Sequence, residues 1–222
     1  MSKHTRIAVA LKMKESGIIP VFYHQNAEIC KNVLKACYDA GFRAFEFTNR
    51  GDFAHEVFRE ISLFAKAELP ELALGVGSIL EPATTALYIQ LGADFIVSPI
   101  LNAEMAKVCN RRKILWSPGC GSLTEISYAE ELGAEIVKIF PGAQVGGPDF
   151  VAAVKGPMPW TNIMPTGGVE PDRENLVKWF KAGVYCVGMG SKLFPKEIIE
   201  KGDYDWITAK GKEILAIRAE FL

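Results

Sequence analysis

The fold this sequence predicts is an α/β barrel of eight strands, each followed by a helix. Three observations carry it: eight short β-rich apolar runs, helix-forming stretches between them, and glycines that close those stretches. Residues 3–16 read as an extra, amphipathic N-terminal helix ahead of the first strand, "IIPVF" (18–22). "NAEICKNVLKACYDAG" (26–41) has the 3.6-residue apolar period of a helix and ends on Gly41, where a C-terminal cap favours positive φ. "RAFEFT" (43–48) is the second strand, followed by helical "DFAHEVFREISLFAKAEL" (52–69). "LALGVG" (72–77) is the third, and "EPATTALYIQLG" (81–92) starts with Pro82 in the first turn and closes on Gly92. "DFIVSP" (94–99) and "KILWSP" (113–118) are the fourth and fifth strands, and "LTEISYAEELG" (123–133) closes on Gly133. "EIVKIF" (135–140), "NIMPTG" (162–167) and "YCVGMG" (185–190) complete the set, with helical "RENLVKWFKAG" (173–183) before the last and "DYDWITAKGKEILAIRAEFL" after it. No linker interrupts the alternation, so residues 1–222 read as a single (β/α)8 TIM barrel domain. A doubly wound open sheet fits less well, because no Gly-rich dinucleotide fingerprint follows the first strand.

Bulk properties narrow the function. Of 222 residues, 49% are apolar and the formal net charge is −1, with both signs interspersed. That balance offers no general attraction for nucleic acid or an anionic membrane, so any anion site must be local. No apolar run approaches a membrane span or the core of a signal peptide, and the expectation is a cytoplasmic protein. The five cysteines make no C-x-x-C pair, and the three histidines have no ligand spacing, which argues against a zinc or other divalent-metal enzyme.

"EIVKIF" places Lys138 inside an apolar, β-branched run. In a barrel strand alternate side chains face the interior. If Val137 and Ile139 face the helices, Lys138 and Phe140 turn inward; if Phe45 and Phe47 do the same on "RAFEFT", Glu46 turns inward too. An ordinary strand lysine belongs on the surface, but a lysine and a carboxylate inside one barrel form a matched pair. At its ordinary pKa of about 10.4, a lysine is neutral in less than about 0.1% of molecules at pH 7. Desolvation lowers that value, and the neutral amine attacks a ketone to form a Schiff base. Glu46 is the strand-interior carboxylate suited to the accompanying proton transfers.

Arg50, in "FTNRGD", lies past the end of the second strand, where a bend in the loop returns its guanidinium to clamp a substrate carboxylate. Ser78 in "GVGS" offers a hydroxyl to the same group. The Gly-rich turns "PTGGV" (165–169) and "GMGS" (188–191) follow strands seven and eight, where barrels bind phosphate through backbone N–H groups; Gly167, Gly168, Gly190 and Ser191 supply the donors. His24 in "FYHQN" reads equally as a rim residue or a catalytic one. Cys120 in "PGCGS" has no histidine placed to activate it.

"FEFTNR", "GVGS", "SP" (98–99), "SPG" (117–119), "VKIFP", "PTGG" and "GMGS", in this order, resemble the 2-keto-3-deoxy-6-phosphogluconate (KDPG) and 4-hydroxy-2-oxoglutarate (KHG) aldolase family over about residues 15–210. The resemblance implies a cofactor-free class I aldolase, a homotrimer, that cleaves a phosphorylated keto acid to pyruvate and glyceraldehyde 3-phosphate. It assigns Lys138 the Schiff base, Glu46 the acid/base role, and Arg50 and Ser78 the pyruvate carboxylate. Pro99 and Phe140 join the substrate site, Phe140 beside the imine, and Thr166 with Gly167, Gly168, Gly190 and Ser191 forms the phosphate end. The sequence departs from the family pattern at Ser78 (commonly threonine), at Ile100 (commonly glycine), in "FPGAQ", which lacks an acidic residue, and in a longer "CVGMGS". KHG or the galactonate epimer are the alternative substrates. A phosphosugar isomerase or a non-catalytic sugar-phosphate binder are the alternative classes.

Overall fold

The computed structural model describes residues 2–221. Helix α1 (Arg6–Ser16) comes first, and β1 (Ile18–Phe22), α2 (Ala27–Ala40), β2 (Ala44–Thr48), α3 (Ala54–Glu68), β3 (Ala73–Gly77), α4 (Pro82–Leu91) and β4 (Phe95–Val97) alternate after it. Next come α5 (Ala103–Arg112), β5 (Leu115–Ser117), β6 (Gly119–Cys120), α6 (Leu123–Glu131), β7 (Val137–Ile139), α7 (Gly147–Lys155) and β8 (Ile163–Pro165). The chain ends with α8 (Arg173–Lys181), β9 (Val187–Met189), α9 (Lys196–Lys201) and α10 (Tyr204–Ala219).

All paired strands are parallel, in one sheet of order β5-β4-β3-β2-β1-β9 and another of order β6-β7-β8. An isolated bridge, Thr166 to Gly188, joins the end of β8 to β9. The expected fifth strand is split into β5 and β6 at Pro118, which has no N–H for the ladder. Its carbonyl still accepts the Lys138 N–H at 2.9 Å, so the neighbouring register survives the break. The sixth expected strand pairs only over Val137–Ile139.

Two buried clusters record which way each side chain points. Phe45, Phe47, Val137 and Ile139 pack in the larger one, against the helices. The smaller cluster gathers Ile19, Ala44, Ala73, Phe95, Leu115, Ile136, Met164 and Cys186, so eight successive strand segments meet in one interior. Val9 and Met13 of α1 complete it, both 0% exposed, at the strand starts. Thr5 caps α1 by accepting the Ala8 N–H, and Gly17 ends it at φ 65° with its own N–H on the Met13 carbonyl. The extra N-terminal helix is thus a stopper, with each fully buried aliphatic contributing about 1.5–3 kcal/mol. Among the described residues, no helix is long and apolar enough to cross a membrane.

Candidate functional site

Alternation from Ala44 sends Glu46 and Thr48 into the interior, and alternation from Ile136 sends Lys138 there. Glu46 is 1% and Lys138 5% exposed. Register sets Glu46 beside Gly75 and Thr48 beside Gly77, while Lys138 lies between Gly119 and Met164. The glycines make the space: a Cβ on Gly77 would overlap the Glu46 carboxylate, and one on Gly188 the Thr166 hydroxyl. Residues two steps further along the same strand faces, Thr48 and Phe140, line a cavity of about 490 Å³ at the strand ends. Lys138 and Glu46 therefore lie one layer beneath its floor.

Among the described residues, no ion pair links Lys138 to Glu46, and Glu46 Oε2 has no hydrogen-bond partner. Burial holds the Lys138 ammonium below its ordinary pKa; the Glu46 charge opposes this and the Arg50 guanidinium adds to it. Burial likewise raises the Glu46 carboxyl, against the attraction of Lys138 and Arg50. Both shifts favour the neutral forms, because desolvation outweighs an attraction made without direct contact. The Phe140 ring centroid lies 4.9 Å from Lys138 Nζ, an apolar wall for that amine.

Arg50 is exposed, lines the cavity, and donates from Nε to Ser78 Oγ at 3.3 Å. The loop does return the guanidinium to the site. Ser78 holds φ 60°, a left-handed conformation costly for a residue with a Cβ, and the Asn49 N–H on the Gly77 carbonyl (2.9 Å) ties its loop to the next. Ser78 and Pro99 do not line the cavity; Pro99 is half-buried, with its carbonyl against Gly119.

Thr166, Gly167, Gly168, Gly190 and Ser191 all line the cavity. Gly167 and Gly168 adopt φ 96° and 78°. Their carbonyls are taken: Ala143 N–H donates to Gly167, and Asn175 Nδ2 and Trp179 Nε1 donate to Gly168. Among the described residues the Gly168 N–H donates to no other group, which suits an incoming anion.

Outside this group, His24 Nδ1 accepts the Asn26 N–H at 3.0 Å and so shapes its own turn. Cys120 is 1% exposed and burial pushes its thiol up to about 12, which keeps it protonated. The other buried acid in a strand region, Asp94, already accepts the N–H groups of Lys3, His4 and Leu74. Sequence reasoning missed Glu170 and Lys192, which line the cavity as an ion pair at 3.3 Å; their signal was only adjacency to "TGGV" and "GMGS".

Comparison with known proteins returns one family model, "KDPG and KHG aldolase", over residues 9–210. The KHG/KDPG aldolase of Escherichia coli K12 is 32% identical across 88% of this chain and 89% of its own. The 2-dehydro-3-deoxy-phosphogluconate aldolase of Pseudomonas aeruginosa is 31% identical across 93% and 91%. Among solved structures, KDPG aldolase from Legionella pneumophila, with pyruvate captured as a covalent carbinolamine, superposes with a TM-score of 0.83 at 25% identity, over 92% of this chain and 97% of that one.

Proposed function

The chain belongs to the KDPG and KHG aldolase family, and from that premise we propose that Lys138 is its Schiff-base lysine and Glu46 its acid/base. The protein is a carbon–carbon lyase acting as a class I aldolase on 2-keto-3-deoxy-6-phosphogluconate, with KHG the alternative that the family name carries. One observation supports the residue assignment most: an amine and a carboxyl buried in one interior, each shifted toward its neutral form, directly under the cavity. The covalent carbinolamine of the Legionella relative is the same chemistry in a similar fold.

In this reading the substrate carboxylate sits against Arg50, whose guanidinium Ser78 holds in place, and its C2 ketone meets Lys138 Nζ. Attack gives a carbinolamine, Glu46 supplies the proton with which water leaves, and the imine forms. The Glu46 carboxylate, now charged, takes the C4 hydroxyl proton as the C3–C4 bond breaks, its electrons passing into the enamine. Glyceraldehyde 3-phosphate departs from the Thr166, Gly167, Gly168, Gly190 and Ser191 end. Protonation at C3 and return of the water free pyruvate and restore the amine. The pairing of β8 with β9 through one bridge favours a closed eight-stranded barrel as the frame, with residues 1–222 as one domain. We place Pro99 at its rim, and keep the homotrimer that the resemblance implies as part of this reading.

Incubation with pyruvate and borohydride, followed by peptide mass spectrometry, tests the assignment. The expected adduct is on Lys138, and Lys138→Ala abolishes both adduct and turnover. Wild-type turnover by Lys138→Ala would end this reading.

A further inference from the structure

Two cations line the cavity, Arg50 after β2 and Lys192 after β9, and among the described residues only Lys192 is held by an acid. Its ammonium lies 3.3 Å from Glu170, with side chains 62% and 38% exposed, on the same cavity wall as Gly168, whose N–H has no partner among the described residues. Glu170 sits on a fixed frame. Its N–H donates to Asn175 Oδ1 at 2.9 Å, and Asn175 also holds the Gly168 carbonyl and is itself capped by Asp172. The Lys192 backbone is fixed too, by the turn in which the Leu193 N–H reaches the Gly190 carbonyl at 2.9 Å. What moves is the long Lys192 side chain, and a half-exposed ion pair is a weak tether for it.

We propose that Lys192 is a specificity-determining residue for a doubly charged terminal group, and that Glu170 holds it in reserve until such a group arrives. A phosphate monoester carries close to two charges at neutral pH and three acceptor oxygens. It outcompetes one carboxylate for the ammonium while the Gly168 N–H takes another of its oxygens. A substrate with a neutral hydroxyl terminus cannot break the pair, so it meets a wall whose charge there is already cancelled. The proposal deepens the aldolase reading above and rests on it.

The test compares kcat/KM for the phosphorylated keto acid with that for the same acid lacking its phosphate. Lys192→Met is expected to lower the ratio about tenfold, through KM for the phosphorylated substrate, which is the loss of one charged hydrogen bond. Glu170→Gln, by removing the competitor, is expected to raise it about twofold, the opposite sign. A ratio within twofold of wild type for Lys192→Met overturns the proposal, as does an equal fall for Glu170→Gln, which marks the pair as merely structural. Pyruvate trapping at Lys138 is followed in parallel. If trapping fails in the wild-type protein the aldolase reading falls, whereas intact trapping with an unmoved ratio removes the Lys192 proposal alone.

Discussion

At Lys138, burial lowers the affinity for a proton, Glu46 restores part of it, and Arg50 lowers it again. Burial dominates because the charges do not touch, so the carboxylate compensates the lost hydration incompletely. On the proposed assignment Arg50 therefore has two separable tasks, clamping a carboxylate and helping to discharge the amine. Arg50→Leu is expected to raise the pyruvate concentration needed for half-maximal trapping by about tenfold, the worth of one charged hydrogen bond. It is also expected to move the pH midpoint of trapping upward, since a repelling cation is gone. Trapping measured from pH 6 to 10 reads both, and a fall in the midpoint would contradict the electrostatic role. Ser78, bonded to Arg50 through an unusual backbone angle, holds the guanidinium rather than facing the cavity itself.

The element that decides the depth of the site is β3, whose inward positions Gly75 and Gly77 are empty of side chains. A methyl at Gly77 falls on the Glu46 carboxylate, so Gly77→Ala is expected to cost about tenfold to a hundredfold in kcat, as displacements near an ångström do. Because the flexible end of Glu46 can move aside, circular dichroism is expected to show a folded protein; unchanged kcat would mean that Glu46 is misassigned. The same strand faces show what was readable beforehand. Alternation around Phe45, Phe47, Val137 and Ile139 correctly turned Glu46 and Lys138 inward, because a charge in an apolar period-two run leaves few alternatives. The break at Pro118 was hidden by its reading as a strand end, although a proline cannot serve a two-sided ladder. Glu170 and Lys192 were invisible for another reason. Each is an ordinary surface residue after a turn, and their pairing depends on two loops 22 residues apart being brought together.

Across the whole molecule, the site subtracts stability. Lys138 binds its proton less well folded than unfolded, so stability is fully present above the unfolded value of about 10.4 and is lost as pH falls through the lowered folded value. Glu46 works in the other direction: its folded value is raised, so stability is fully present below about 4.3 and is lost as pH rises through the folded value. At neutral pH both groups weaken the fold. Lys138→Met/Glu46→Gln is expected to be inactive yet to melt higher, by about 2–4 °C for each kcal/mol recovered in a chain of this size, with a flatter dependence of Tm on pH. Calorimetry at several pH values checks this, and a lower Tm would show that the pair braces the interior instead. Finally, the side chains of Val9 and Met13 fill the interior at the strand starts, so on the proposed assignment traffic to Lys138 runs through the cavity at the strand ends. On that assignment the aldehyde leaves first because the pyruvate half stays bonded to the amine until water releases it, and with the opposite end filled both products share one route out.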